Sequence, residues 1–233
     1  MAERGVMVKV FGEYACFSRP EFKVERVSYP VITPSAARGI LEAVFWKPEI
    51  RYQIRQIHIL TMGTQASILR NEISDRQGAG PFIAQAKRQQ RTSLVLKNVS
   101  YVIGAEIHIR SHVDAHIGKY LDQFNRRVAR GQCHHTPYLG TREFCAFFEP
   151  PGRDDRADPN LNLDLGQMLF DIAFIEGREG NGELEFLKPG ASGQRRVRGR
   201  AESLFFRASI ESGVMKVPAE KYSELYRMEE EHA

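Results

Sequence analysis

Cysteine and tryptophan are scarce in this sequence, and long apolar runs are absent from it. The 233 residues include three cysteines, Cys16, Cys133 and Cys145, and one tryptophan. The cysteines have no Cys-x-x-Cys spacing, which argues against a disulfide framework or a thiol nucleophile. No stretch approaches the ~18 apolar residues of a membrane span, and MAERGVMVKV lacks the apolar core of a signal peptide. We therefore expect a cytoplasmic protein without membrane contact.

Charged residues, by contrast, are plentiful and unevenly distributed. Hydrophobic residues make up 42% of the chain, which is enough for a substantial core, and the formal net charge is +4. Basic residues are concentrated in three runs, KRQQR (Lys87–Arg91), RRVAR (Arg126–Arg130) and RRVRGR (Arg195–Arg200). A local basic patch steers a polyanion more effectively than the overall sum of charge. The three runs favour a nucleic-acid ligand.

The first 150 residues predict the element order β-α-β-β-α-β. Thr33 and Pro34 predict the start of a first helix, which ends at Pro48. A second helix is predicted over Ala115–Gly131, and the polar segment Gly63–Arg91 predicts a long loop or an extended hairpin. Strands or extended segments are predicted at Val6–Phe17, Lys23–Ile32, Gln53–Thr61, Val99–Arg110 and Tyr138–Pro150. This order indicates an α+β protein with a ferredoxin-like, RRM-like domain, whose sheet is a common RNA platform.

The remaining residues, 151–233, predict a second and smaller domain. The charged segment GRDDRADPN after Pro150 and Pro151 predicts a linker. Short strands separated by glycine turns are predicted at Met168–Ile175, Glu183–Leu187 and Leu204–Ile210. We expect a C-terminal antiparallel β domain that ends in MEEEHA, a frayed acidic tail.

The second predicted helix, AHIGKYLDQFNRRVARG, is amphipathic. Its apolar residues recur at helical spacing, at Ile117, Leu121, Phe124 and Val128. A basic and polar side remains for water or a ligand, with His116, Lys119, Gln123, Arg126 and Arg130. The spacing predicts the helix, and the chemistry of its basic side needs further evidence.

Two long segments carry a family resemblance. GEYACFSRPEFKVERVSYPVITPSAARGILEAVFWKPEIR and NRRVARGQCHHTPYLGTREFCAFFE closely resemble the Cas5 family of CRISPR systems, in its subtype I-C variant. The resemblance implies a RAMP-type protein with a ferredoxin-like domain and a C-terminal β domain. It also implies a metal-independent endoribonuclease that cuts CRISPR precursor RNA in the repeat stem-loop and stays on the 5′ handle within the interference complex.

The resemblance places candidate catalytic residues on both helices. The family has a tyrosine in a YWKP motif and an adjacent Lys-His pair, and the matching positions here are Phe45, Lys119 and Tyr120. Lys119 suits the cation that stabilises the phosphorane. A free tyrosine titrates near ~10, so its deprotonation at pH 7 costs about 4 kcal/mol, and neutral tyrosine is a better acid than base.

Several alternatives stay open for the proton transfer. His116, one turn before Tyr120, is a candidate base, as are His134 and His135 in the following loop. Tyr120 would otherwise pack beside Leu121 and Phe124. The spacing of His108, His112 and His116 would suit zinc on a helix, but His108 falls in a strand-like run, so we expect no metal site and no cofactor.

Further residues are candidates for contact with RNA. Phe45 and Trp46 could stack on a base, although Trp46 also suits the core of an amphipathic helix. The remaining candidates are basic, and they are Lys87, Arg88, Arg91, Arg126, Arg127, Arg130, His134 and His135. The run at Arg195–Arg200 could instead be a mobile basic loop of the second domain.

Two functions compete at this point. The first is an endoribonuclease that acts by 2′-hydroxyl attack and leaves a 2′,3′-cyclic phosphate. The second is a binding module that holds the guide-RNA handle but cuts poorly, because Phe45 and Tyr120 differ from the family pattern. The partners implied are CRISPR precursor RNA, mature crRNA, a Cas-seven backbone protein and a large subunit, with duplex DNA as a further candidate ligand.

Overall fold

A computed structural model describes residues 5–22, 25–74, 78, 80–81, 83–177, 183–190 and 193–230. Within these residues the strands are β1 (Gly5–Ala15), β2 (Arg26–Val27), β3 (Ile50–Thr61), β4 (Thr64–Ile73), β5 (Arg88–Ile109), β6 (Phe147–Glu149), β7 (Leu163–Glu176), β8 (Leu184–Gly190), β9 (Gly193–Glu211) and β10 (Val214–Lys216). The helices are α1 (Pro34–Val44), α2 (Ile117–Ala129) and α3 (Glu220–Glu230), and a 3₁₀ turn covers Ala84–Lys87. The predicted α+β class is confirmed.

The strands form one sheet in the order β6-β1-β5-β3-β10-β9-β7, with β2 and β4 also paired to β5 and β8 paired to β9. The pairing of β2 with β5 is parallel, and the pairings along the main order are antiparallel. Short β10 joins the halves of the sheet, because Met215 pairs with Ile57 of β3 and with Ile210 of β9. The division of the chain at residue 150 stays a prediction.

The first helix begins as its sequence predicts. Pro34 occupies the first turn, and the Thr33 hydroxyl accepts a hydrogen bond from the backbone N–H of Ala36 at 3.3 Å. The backbone N–H of Phe45 donates to the carbonyl of Leu41 and closes the last turn. The buried side of α1 packs against β3 and β7, so this helix spans the two halves of the sheet.

The structure decides between the predicted alternatives for one segment and corrects the prediction for another. For Gly63–Arg91 the hairpin alternative is correct, since β4 pairs with the start of β5 from Thr64↔Lys97 to Ile73↔Arg88. The strand predicted over Tyr138–Pro150 is wrong except at Phe147–Glu149. Gly140 has a φ of +88° and turns the chain, so that Tyr138 meets Cys145 only in an isolated bridge.

The C-terminal segment also differs from its prediction. The frayed acidic tail is wrong for Met228–Glu230, which belong to α3, whereas residues 231–233 lie outside the described residues. Tyr222 and Leu225 are buried on the side of α3 that packs against β7. The Tyr222 hydroxyl accepts a hydrogen bond from the backbone N–H of Ile54 at 2.7 Å. Burial and this bond hold a helix that its polar composition did not predict.

None of the helices in the part of the chain that the structure describes is both long enough and apolar enough to cross a bilayer.

Candidate active site and nucleic-acid interface

Helix α2 presents the basic side that its spacing predicts. Lys119, Arg126 and Arg130 are exposed, whereas Phe124 and Val128 are buried. A helix rises about 1.5 Å per residue, so the three cations cover roughly 16 Å along the surface. None of the three forms an ion pair with a carboxylate among the described residues. We call Lys119, Arg126 and Arg130 the α2 basic face.

His116 caps the helix at the start of this face. Its Nδ1 accepts a hydrogen bond from the backbone N–H of Gly118 at 3.2 Å, and its ring is otherwise exposed. A nitrogen that accepts a hydrogen bond carries no proton, so in the neutral ring the proton is on Nε2. Nε2–H is therefore the donor that this residue offers to a ligand. His108 lies on β5, so it does not share a helical face with His116.

Lys119 and Tyr120 are neighbours in chain and in space, but only Lys119 is exposed. The Lys119 ammonium lies 5.5 Å from the centroid of the Tyr120 ring. Tyr120 is only 2% exposed, in the core with Phe124. Burial, and then the charge of Glu49, raise the pKa of Tyr120 above its ordinary value. A general-base role for Tyr120 is thereby disfavoured, and its packing alternative is supported.

Phe45, at the family's tyrosine position, is enclosed by protein. It is 1% exposed, and the Arg127 guanidinium lies 5.4 Å from its ring centroid. Its carbonyl accepts a hydrogen bond from the Tyr52 hydroxyl at 2.7 Å. Because a nucleobase cannot reach the enclosed ring, the prediction that Phe45 stacks on RNA is wrong. Trp46, next along the chain, is 36% exposed, so the prediction of an RNA contact there stays open.

Arg127 serves the fold. Its Nη1 donates to the carbonyl of Val44 at 2.8 Å, at the C-terminal end of α1. The last carbonyls of a helix have no partners within the helix, and a cation there also interacts favourably with the negative end of the helix dipole. The half-buried Arg127 thus fastens α2 to α1, and its predicted contact to RNA stays a prediction.

The two loop histidines are held next to the same helix end. The backbone N–H groups of His134 and His135 donate to the carbonyl of Ala43, at 2.7 Å and 3.3 Å. Both residues are exposed, and their ring centroids are 5.9 Å apart. The loop is therefore fixed by its backbone while the imidazoles remain available, and their predicted roles stay predictions.

The three basic runs differ in how many of their cations form ion pairs. The run at Arg195–Arg200 lies in β9 and is not a loop. Three of its arginines face strand carboxylates, in the pairs Arg195–Glu176, Arg196–Glu185 and Arg200–Glu202. In the first run, Arg91 lies 3.5 Å from Glu72, and Lys87 and Arg88 are exposed at the far end of the β4–β5 hairpin. Since paired charges attract a polyanion less, the α2 basic face is the strongest candidate for phosphate contact.

An ion pair that the sequence did not reveal, between half-buried Arg38 and buried Asp171, fixes α1 above the sheet. The Nε and Nη2 of Arg38 donate to the two oxygens of Asp171 on β7, each at 2.8 Å, and Nη1 donates to Glu42. Asp171 is 2% exposed. The neighbouring carboxylates raise the pKa of Arg38 against the effect of its burial, so the guanidinium stays charged. These residues are 133 positions apart, so no local pattern could have joined them.

Comparison with known proteins places the chain among CRISPR-associated proteins. The family described as CRISPR-associated protein (Cas_Cas5), by its Cas5d model, matches residues 5–218. A protein of Thermus thermophilus named CRISPR pre-crRNA endoribonuclease Cas5d is 60% identical over 226 residues, which cover 97% of this chain and 96% of that protein. A protein of the same name from Mannheimia succiniciproducens is 38% identical over 94% of this chain and 96% of its own. A solved structure titled Crystal Structure of CRISPR-associated Protein has a similar fold, with a TM-score of 0.62 at 20% identity over 94% of this chain and 93% of that chain.

Proposed function

Because the chain belongs to the Cas5d family of CRISPR-associated proteins, we propose that it is an endoribonuclease that cleaves CRISPR precursor RNA. One observation carries this conclusion, namely the 60% identity over nearly the whole chain to a protein named for that activity. The alternative, a module that holds RNA but does not cut it, is not favoured by relatives that carry the endoribonuclease name.

The strand order supports a ferredoxin-like N-terminal domain. Four strands are adjacent in the order β6-β1-β5-β3. Helix α1 connects β1 to β3 on the two sides of β5, and α2 connects β5 to β6. In the split β-α-β arrangement the two crossovers have these positions. The proposed second domain, from residue 151, would begin after β6.

The proposed reaction is an internal transesterification that needs no metal ion. The 2′-oxygen of the ribose forms a bond to the adjacent phosphorus, and the bond from phosphorus to the 5′-oxygen of the next nucleotide breaks. A base takes the proton of the 2′-hydroxyl, and an acid gives a proton to the departing 5′-oxygen. The products are a 2′,3′-cyclic phosphate and a 5′-hydroxyl end.

Residues at the start of α2 would supply two of these functions. Lys119 is exposed and unpaired among the described residues, so its ammonium is free to neutralise the phosphorane oxygens. His116 lies three residues earlier with an exposed ring, and in its protonated, imidazolium form its Nε2–H would be the proton donor. We assign the proton acceptor to His134 or His135, since burial raises the pKa of Tyr120 and makes its phenolate harder to form.

The remainder of the α2 basic face would bind the RNA backbone beyond the cut. Arg126 and Arg130 follow Lys119 along the same exposed side, and a strand of RNA laid along the helix would bring successive phosphates past them. After cleavage the protein would keep the 5′ handle of the crRNA and assemble with a Cas-seven backbone protein and a large subunit in the cytoplasm. Duplex DNA remains a further candidate ligand of this proposal.

Cleavage of the cognate repeat RNA in EDTA tests the proposal. We expect a single cut whose upstream product ends in a 2′,3′-cyclic phosphate. We expect no cut when the ribose at that position is replaced by 2′-deoxyribose, because the nucleophile is then missing. Cleavage that requires a divalent ion, or that survives the deoxy substitution, would refute the mechanism. Tight binding without any cleavage would instead support the non-cutting module.

A further inference from the structure

A cavity of about 470 Å³ lies between the β8–β9 hairpin, the end of α3 and the residues that follow β5. Its volume falls in the range of small-ligand sites. Its lining combines aromatic and charged side chains, among them Arg110, Phe174, Phe186, Lys188, Arg195 and Glu229. The function described above does not use these residues, and of the six only Arg195, in the run Arg195–Arg200, belonged to a sequence motif.

One wall of the cavity is aromatic. Phe174 on β7 is 40% exposed, and its ring centroid lies 5.3 Å from that of Phe186 on β8, at an interplanar angle of 50°. Both strands flank β9, so the sheet fixes the position of both rings. Phe174 is exposed on one side and packed against Phe186 on the other, so it offers a flat apolar surface. Any of the four nucleobases can stack on such a surface.

A nucleotide also needs a cation for its phosphate, and Arg110 is the candidate. Its Nε is buried and has no hydrogen-bond partner among the described residues. Lys188 and Arg195, in contrast, both face Glu176, at 3.6 Å and 2.6 Å. The Nε is closed to solvent, so a phosphate would meet the half-buried Arg110 guanidinium from the side that lines the cavity. Burial, and then the charge of Arg51, lower the pKa of Arg110, and a bound anion would oppose both effects.

The acidic side of the cavity is less repulsive to an anion than its composition indicates. Burial raises the pKa of Glu229, which weakens its preference for the charged form. The Glu230 carboxylate lies 3.5 Å from the Arg51 guanidinium and is partly neutralised by it. A phosphate at Arg110 would therefore meet a cation without an ion pair among the described residues and, at Glu230, a carboxylate that faces Arg51.

The cavity and the start of α2 have one neighbour in common, Glu49. The backbone N–H of Arg110 donates to the carbonyl of Glu49 at 2.9 Å, and the charge of Glu49 acts on Tyr120 at the start of α2. A second cavity of about 170 Å³ shares Arg110 and Phe174 with the first and extends to Trp46. Arg110 and Phe174 thus line both cavities, which we together call the groove.

We infer that this groove holds one unpaired nucleotide of the precursor RNA next to the cut, with its base against Phe174 and its phosphate against Arg110. The inference rests on the proposed function, which it deepens by adding a nucleotide subsite. An aromatic wall and a single unpaired guanidinium match the two parts of a nucleotide. Stacking selects an unpaired base but not its identity, so the subsite would favour RNA in which a nucleotide beside the cut is free to leave its helix.

The test is a scan of repeat RNAs that each lack one base. Every RNA carries 2′-deoxyribose at the cut, so that equilibrium binding is measured without cleavage. We expect one abasic position near the cut to weaken binding to the wild-type protein about 5- to 100-fold, the range for loss of one stacked base. Removal of the base at the same position should hardly change the affinity of the Phe174→Ala variant. Phe205→Ala is the matched control, since Phe205 is 38% exposed on β9 and does not line the cavity.

A second variant tests the phosphate contact without touching the aromatic wall. A neutral methylphosphonate at the same nucleotide should weaken binding to wild type, and Arg110→Gln should remove that difference. Identical abasic profiles for wild type and Phe174→Ala, together with a methylphosphonate effect that persists in Arg110→Gln, would overturn the subsite. Absence of any binding to repeat RNA would overturn it as well.

The two proposals fail in different ways. A protein that shows the Phe174-dependent position but never cuts the all-ribose repeat would retain the subsite and refute the endoribonuclease. A protein that cuts the repeat but shows no such position would retain the endoribonuclease and refute the subsite.

Discussion

The Nδ1 of His116 and the backbone N–H of Gly118 are joined by a hydrogen bond of 3.2 Å, directly before Lys119. A Cβ at position 118 would lie 3.0 Å from that Nδ1, so glycine leaves the space that the imidazole occupies. One side chain thus has two duties in two protonation states: the neutral ring caps α2 through Nδ1, and the protonated ring, which releases the cap, would donate a proton through Nε2–H. The hydrogen bond also holds the proposed proton donor close to the proposed phosphate cation.

The two duties of His116 can be separated by substitution. Asparagine is among the best N-cap residues, so His116→Asn should keep the stability of the protein but lower cleavage about 100-fold or more, as expected for loss of a general acid. His116→Ala should lose both, with a further decrease of about 0.5–2 kcal/mol in the free energy of unfolding. Single-turnover cleavage and urea unfolding measure the two effects. Wild-type cleavage by His116→Asn would exclude the catalytic duty.

Tyr120 is predicted to act through its ring and not through its hydroxyl. The ring is 2% exposed in the core, and burial raises the pKa of the hydroxyl. Tyr120→Phe keeps the ring, so we expect cleavage within about threefold of wild type across pH 6–9, since the change removes no general acid or base. A drop of 100-fold or more, or loss of one limb of the pH profile, would show that the hydroxyl transfers a proton.

Arg126 and Arg127 are neighbours with different predicted effects. Arg126 is exposed and belongs to the α2 basic face, whereas Arg127 donates to the carbonyl of Val44 at 2.8 Å. Arg126→Ala should reduce the slope of log affinity against log salt by about 0.7–0.9, the effect of one phosphate contact, without loss of stability. Arg127→Ala should lower the free energy of unfolding by about 1–3 kcal/mol, because it removes the hydrogen bond of a charged group. The reverse assignment would contradict the described interface.

The pair of Arg38 and Asp171 is predicted to be essential to the fold. Asp171→Asn would remove the charge of the buried carboxylate and leave half-buried Arg38 with Glu42 as its remaining anionic partner, and we expect a loss of about 1.5–3 kcal/mol in the free energy of unfolding. Asp164→Asn is the matched control, because Asp164 also pairs with an arginine, Arg207, but on the exposed surface. Thermal and urea unfolding should show a large effect for the first variant and little for the second. Equal effects would contradict the role of burial.

Local sequence patterns predict the two helices that have a recognisable N-cap or a regularly spaced apolar side. Thr33 and Pro34 mark the start of α1, and the spacing of Phe124 and Val128 marks the buried side of α2. Helix α3 was missed because its sequence is mostly polar. It is stabilised by contacts with β7 and by the bond from Ile54 to Tyr222, which no local pattern contains.

The site was only partly predictable for the same reason. The exposed side of α2 follows from spacing, and the family resemblance selects Lys119 on it. Whether a cation is free depends on partners across the sheet, and the pairing of Arg195 with Glu176 requires the register of β7 against β9. The enclosure of Phe45 by Arg127 likewise depends on the packing of α2 against α1.

The most direct test of the account compares Lys119→Ala with wild type on the cognate repeat RNA, with cleavage and binding measured in parallel. Arg207→Ala is the control, since it removes an exposed cation on β9. We expect Lys119→Ala to slow single-turnover cleavage by about 100-fold or more, the effect of losing one stabilising group at the transition state. Its RNA affinity should fall less than about tenfold, because one phosphate contact of several is removed. Wild-type cleavage by Lys119→Ala would contradict an active site at the start of α2.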